Sequence, residues 1–207
     1  MILIIGFSFA LVLMALSYVF WDQTLSLFFY RWMHANDALL QAAAGIPDLL
    51  AYVVIIITLV SWGLYFLLTR RGYKNRHTQF LQLCGTAVPA AFIFKSFLQF
   101  VLGRSNPWMW AIYHQSPIFY WFDASEGYGC FPSGHMTVFT ALIAGFGYYY
   151  PRYRLACFSL LLLLAVALIV TNHHFLSDVI AGASLGMAIF LLANNALNPI
   201  AARKPSF

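Results

Sequence analysis

Two short stretches of this chain carry residue types that can do chemistry on an anion: Phe131-Pro132-Ser133-Gly134-His135 and His174-Phe175-Leu176-Ser177-Asp178. A proline, a serine and a glycine just ahead of an apolar run begin a helix with unpaired backbone N–H groups directed outwards. Such an end attracts phosphate, because bare donors and the positive end of the helix dipole face it together. His135 then sits in the first turn, beside the anion, able to give or take a proton. In the second stretch His174 and Asp178 stand four apart at the mouth of a helix and share a face. A carboxylate that accepts one ring N–H fixes the tautomer and leaves the other imidazole nitrogen free as a nucleophile. Taken alone, each stretch also reads as a helix cap with a histidine beside it. His173 is one position off the shared face and reads as solvated or structural.

Two cations belong to the same reading. Arg104 closes an apolar run in Val101-Leu102-Gly103-Arg104-Ser105-Asn106-Pro107. There it either meets helix carbonyls and headgroups or clamps a phosphate with its planar fork. Lys95 lies deeper in that run, where an uncompensated lysine costs about 2.5–3.5 kcal/mol on the insertion scale. Its flexible stem offsets part of this by carrying the ammonium outwards. Intramembrane charges face the bundle interior and serve function, so Lys95 reads as a functional cation. The three cysteines, Cys84, Cys130 and Cys157, match no metal or disulfide spacing and read as packing residues. No metal and no cofactor is expected.

The elements that must position these residues are membrane helices. At 62% hydrophobic and 8% charged over 207 residues, the chain is not a soluble domain. Six spans are expected near Ile2–Phe20, Leu49–Leu68, Gln79–Gly103, Met136–Tyr150, Leu155–Thr171 and Val179–Leu197. The first lacks a basic n-region and a cleavage site, and reads as a retained helix rather than a signal peptide. Alternation of six spans gathers Arg70, Arg71, Lys74, Arg76, Arg152, Arg154, Arg203 and Lys204 on one side, which the positive-inside rule makes cytoplasmic. Both termini then lie in the cytoplasm. The acids Asp22, Asp37, Asp48, Asp123, Glu126 and Asp178, and both reactive stretches, fall on the opposite side. The net charge of +5 is therefore a matter of topology, and no nucleic-acid partner is expected. The connection 21–48 suits an interfacial helix. The connection 104–134 carries Trp108, Trp110, Tyr113, Phe119, Tyr120, Trp121 and Phe122, rings expected at headgroup depth. Gly182 and Gly186, spaced for close helix approach, read as packing residues.

These motifs resemble the phosphatidic acid phosphatase type 2 (PAP2) family of membrane phosphatases. The resemblance runs from about residue 95 to 186. It is carried by Pro132-Ser133-Gly134-His135 and by His174-Phe175-Leu176-Ser177-Asp178-Val179-Ile180-Ala181-Gly182. Gly103-Arg104 matches a pair that many members have. Measured from Pro107, however, the family's first-block lysine and arginine fall at Gln99 and Asn106. A further arginine, six residues before the histidine, falls at Leu168.

The resemblance implies an all-α, six-transmembrane-helix bundle that hydrolyses a phosphomonoester or diphosphate of a membrane lipid without a metal. The substrate expected is a phospholipid or a polyprenyl phosphate. His174, held by Asp178, forms a phosphohistidine, His135 serves as acid and then base, and Arg104, Lys95, Ser133 and the Gly134 amide bind the phosphoryl oxygens. The expected setting is a bacterial inner membrane, with the site on the periplasmic side. Two alternatives stay open: transfer of the phosphoryl group to a lipid or glycan acceptor, and a catalytically silent lipid-binding protein.

Overall fold

A computed structural model describes residues 2–35, 49–113, 119–122 and 127–198. Asp37, Asp48, Asp123, Glu126, Arg203 and Lys204 lie outside the described residues. The helices are α1 (Ile2–Leu16), α2 (Asp22–His34), α3 (Leu50–Arg70), α4 (Arg76–Leu102), α5 (Pro107–Tyr113), α6 (Gly134–Tyr149), α7 (Arg154–Val170) and α8 (Leu176–Leu197). Among the described residues the only β pairing is an isolated bridge between Arg104 and Phe119. The fold is all-α, as expected.

The first span does not stop at Phe20. A π-helical turn, Ser17–Trp21, joins α1 to α2 without a break, so one helical rod of 32 residues runs from Leu3 to His34. The amphipathic pattern expected for the following connection is present, but it continues the same rod instead of opening a new element. It buries Asp22, Ser26 and Met33. Residues 36–48, the rest of the expected interfacial segment, lie outside the described residues.

Among the described residues five rods are long and apolar enough to cross a bilayer: Leu3–His34, Leu50–Arg70, Arg76–Leu102, Pro151–Val170 and Leu176–Leu197. The remaining expected span, α6, has 16 residues and a length of about 24 Å, short of the ~30 Å of hydrocarbon. It packs against α4, α7 and α8. The chain is a multi-pass membrane protein built as a helical bundle. Leu50, Val54, Val88, Ala91, Val138, Ala141 and Ile189 form its central cluster, drawn from α3, α4, α6 and α8. Outward faces are apolar too: Leu155, Phe158 and Leu163 on α7 are more than 60% exposed, which suits a helix whose solvent is lipid.

The contact between α6 and α8 is unusually close, and glycine permits it. A Cβ at Gly182 would stand 2.6 Å from the Ser133 carbonyl oxygen, and one at Gly186 would stand 2.3 Å from that of Thr137. Helix α8 therefore presses its bare backbone against the first turns of α6, bringing the two reactive stretches together.

Candidate active site

Most of the candidate side chains are set by helix ends, while Lys95 and Gln99 project from within α4. Helix α4 stops at Gly103, which takes the left-handed conformation at φ +49°, as a C-terminal glycine does. Helix α6 starts after Ser133, whose hydroxyl accepts the Met136 amide at 3.4 Å, while the Ser133 amide donates to the Asp178 carbonyl at 3.1 Å. Helix α8 starts after Phe175, whose amide donates to Asp178 Oδ2 at 2.9 Å. The backbone before it is fixed by the Leu168 carbonyl, which accepts from the amides of His173 and His174 at 3.1 and 3.2 Å. Leu168 itself is buried among Met136 and Val179, so an apolar contact occupies the place of the family's further arginine.

These ends surround one cavity of about 600 Å³, lined by Lys95, Gln99, Gly134, His135, His173 and His174 among others. Three histidines, His135 from the first turn of α6 and His173 and His174 from the turn ahead of α8, thus face a common space beside the start of α6. Lys95 donates to Gln99 Oε1 at 3.0 Å, and Gln99 Nε2 donates to the Pro132 carbonyl at 3.0 Å. The lysine stem lies against Gly134, where an added Cβ would stand 3.3 Å from the ammonium nitrogen. An ammonium and the positive end of a helix dipole in one place repel each other until an anion binds between them.

Arg104, Ser133 and Asp178 are not at the cavity surface. Ser133 is fully buried as a helix cap. The Arg104 and Asp178 side chains are 0% exposed and paired with each other. Arg104 also reaches Asp22 at 2.8 Å and the Ser177 hydroxyl at 2.7 Å. Asp22 in turn accepts from the Ser177 amide at 3.0 Å and from the Ser177 hydroxyl. The rings of Phe175, Tyr18 and Phe119 stand 4.4, 5.1 and 5.6 Å from the guanidinium carbon. Burial works against the charge on Arg104, but Asp178 and Asp22 outweigh it and lift its pKa above the usual value. The geometry makes Arg104 a tie between α2, the end of α4 and the start of α8. Asp22, which sequence reasoning counted only among the external acids, is the far anchor of that tie.

The direct contact expected between His174 and Asp178 is not made. Nδ1 and Oδ2 are 3.9 Å apart, beyond hydrogen-bond reach. The Cys130 sulfur stands between them, 3.1 Å from His174 Nδ1 and 3.1 Å from Asp178 Oδ2. Cys130 is therefore no plain packing residue, and spacing counts within the sequence had no means of finding it. Burial, with His135 and His173 nearby, lowers the His174 pKa to about 3, so the ring is neutral at physiological pH. By distance alone Cys130, His174 and Asp178 could cage a metal ion, with ligand atoms within 4.8 Å of one another. In this arrangement those atoms contact one another, and Asp178 is further held by Arg104 and the Phe175 amide.

The family model described as the PAP2 superfamily matches residues 79–200. The chain belongs to the PAP2 superfamily. That match reaches beyond both ends of the stretch 95–186 on which the motifs lie. Two curated relatives align with this PAP2 chain, both named lipid A 1-phosphatase. The one from Rhizobium etli is 31% identical over 103 residues, covering 49% of this chain and 43% of the relative. The one from Rhizobium johnstonii is 33% identical over 97 residues, covering 46% and 38%. The chain thus matches less than half the length of either relative. No solved structure matches it.

Proposed function

We propose that this PAP2 chain is a lipid-phosphate phosphatase that works through a phosphohistidine and needs no metal. The observation that carries this is the shared cavity, in which His135 and His174 face one space beside Lys95 and Gly134. The His174 nitrogen remote from Cys130 attacks phosphorus; the N–P bond forms and the P–O bond to the lipid breaks. His135 gives its proton to the departing oxygen. In the second half His135 takes a proton from water, water oxygen attacks phosphorus, and the N–P bond breaks to release inorganic phosphate. Lys95, the Gly134 amide and the start of α6 supply the positive charge that the phosphoryl oxygens need, already in place before reaction. Arg104 and Asp178 act from behind the nucleophile, and Ser133 holds the α6 end.

The substrate class is a phosphomonoester or diphosphate on a membrane lipid. The relatives named for lipid A favour a phosphorylated glycolipid, ahead of phosphatidate or a polyprenyl diphosphate. The basic residues on the connections support cytoplasmic termini and a site on the periplasmic side of a bacterial inner membrane. The test is phosphate release by detergent-purified protein from a panel of these lipids, with His174→Ala as the blank. Turnover should survive EDTA and stop with vanadate. Loss with EDTA and recovery with a divalent ion would refute the metal-free route. Product phosphate found only on an added acceptor would make the protein a transferase, and lipid binding with no turnover would make it a silent binder.

A further inference from the structure

We infer that Cys130 is a positioning residue for the nucleophile: its thiol relays Asp178 to His174 and sets which ring nitrogen is free to attack. This rests on the phosphohistidine reading and adds a group between the two members of its His–Asp pair.

The His174 ring meets Cys130, at its backbone and at its thiol, rather than Asp178 directly. His174 Nδ1 is 3.9 Å from Asp178 Oδ2 but 3.1 Å from Cys130 Sγ, and Sγ is 3.1 Å from the same Oδ2. A sulfur hydrogen bond is long, so 3.1 Å on both sides is close contact. Cys130 is 3% exposed and Asp178 is fully buried, so the sulfur–carboxylate contact lies at the back of the cavity wall.

The thiol has one proton and three acceptors within reach: Asp178 Oδ2, His174 Nδ1 and, at 3.4 Å, the His173 carbonyl. A carboxylate is a stronger acceptor than a neutral imidazole or an amide carbonyl, so the S–H is directed to Oδ2. The sulfur lone pairs then face His174, and the ring satisfies them with Nδ1–H. Nε2 keeps its lone pair. Were the thiol proton directed at Nδ1 instead, the ring proton would sit on Nε2, and no lone pair would face phosphorus.

The relay also serves the transition state. As the N–P bond forms, positive charge grows on the ring while Nδ1 keeps its proton. The polarised sulfur and the carboxylate behind it stabilise that charge, with no proton crossing to Asp178. The position of Cys130 is fixed independently of its side chain. Its amide donates to the Arg104 carbonyl at 3.0 Å, so the loop ahead of α6 is tied to the Arg104 cluster.

The experiment compares Cys130→Ala with Cys130→Ser in detergent. Serine can donate to Asp178 and accept from His174; alanine can do neither. Cys130→Ala should lower kcat about a hundredfold with KM within about threefold, because substrate contacts lie at Lys95 and Gly134. Cys130→Ser should recover most of that loss. Histidine side-chain nitrogen NMR supplies a readout without turnover: His174 should carry its proton on Nδ1 in the parent and in Cys130→Ser, and lose that preference in Cys130→Ala. A Cys130→Ala kcat within threefold of the parent, equal losses in both variants, or an Nε2–H tautomer in the parent would each overturn the relay. Absence of turnover in the parent would count against the phosphatase reading, while the tautomer measurement would still decide the role of Cys130.

Discussion

Replacing Arg104 with leucine separates holding the site from binding the substrate. The guanidinium is fully buried and lies between Asp22, at 2.8 Å, and Asp178. Its removal leaves two carboxylates out of water with no counter-charge. Breaking a buried pair by deleting one partner costs about 3–5 kcal/mol. For a chain of this length each kcal/mol moves the midpoint by roughly 2–4 °C, so Tm in detergent should fall by about 6–20 °C. Intrinsic tryptophan fluorescence on heating is a suitable assay, run beside phosphate release at a temperature where the variant is folded. Asp22→Asn should be milder, near 1–3 kcal/mol, because the amide still accepts from Ser177 and the Arg104–Asp178 pair remains. The double variant should lose much less than the sum of the two singles, as expected of groups in one cluster. An Arg104→Leu protein with Tm within about 2 °C of the parent and a raised KM would refute the tie and return Arg104 to the phosphate.

Lys95→Met should lower kcat/KM about ten- to a hundredfold, matching the ~1.5–3 kcal/mol of a charge-assisted hydrogen bond, with Tm unchanged; an unaffected kcat/KM would remove Lys95 from the site. Gly186→Ala should cost about 1–3 kcal/mol, since its Cβ would meet the Thr137 oxygen at 2.3 Å, and should lower turnover as α6 and α8 separate. Gly63→Ala is its control: nothing lies within 4 Å of a Cβ there, so equal losses in both variants would refute the close-contact account. His174 titrates near 3 when folded because burial and its histidine neighbours disfavour the charged ring. Below its unfolded value near 6.5 the unfolded chain takes up a proton that the folded chain refuses. Its stabilising contribution is therefore complete above pH 6.5 and is lost as pH falls towards 3, with about 2 kcal/mol gone by pH 5. His174→Asn should flatten Tm against pH over that window, and an unchanged slope would place the titration elsewhere.

Most of the fold was legible in the sequence because apolar length and charge placement are local signals. The α6 start at Ser133-Gly134, the end of α4 at Gly103 and the α8 start near Asp178 were readable from caps and turns for the same reason. The join between α1 and α2 was not. Polar residues from Asp22 onward look like the start of a separate interfacial helix in one dimension, but in the bundle Asp22 is paired with Arg104 and the rod continues. Arg104 takes on a second reading for a related reason: a cation near a reactive motif looks available until its partner, 82 residues earlier, is seen beside it. Cys130 depends on a contact across 44 residues with His174, and no spacing rule within one segment reports that.

The two faces of His174 differ in charge, and this suits the reaction proposed for it. Behind the ring lie Asp22 and Asp178 against a single Arg104, a cluster with one net negative charge. In front, across the cavity, lie Lys95 and the positive end of α6. When the imidazole bonds to phosphorus, positive charge develops on the ring and negative charge on the phosphoryl oxygens. The cluster behind stabilises the first, and the cation in front stabilises the second. Both are fixed by helix packing before substrate arrives, so little reorganisation accompanies the reaction. An arginine at Leu168 would add a cation among Met136 and Val179, in the apolar cluster that joins α6, α7 and α8. The leucine there keeps that junction apolar, and in the proposed mechanism Lys95 and the α6 terminus meet the phosphate.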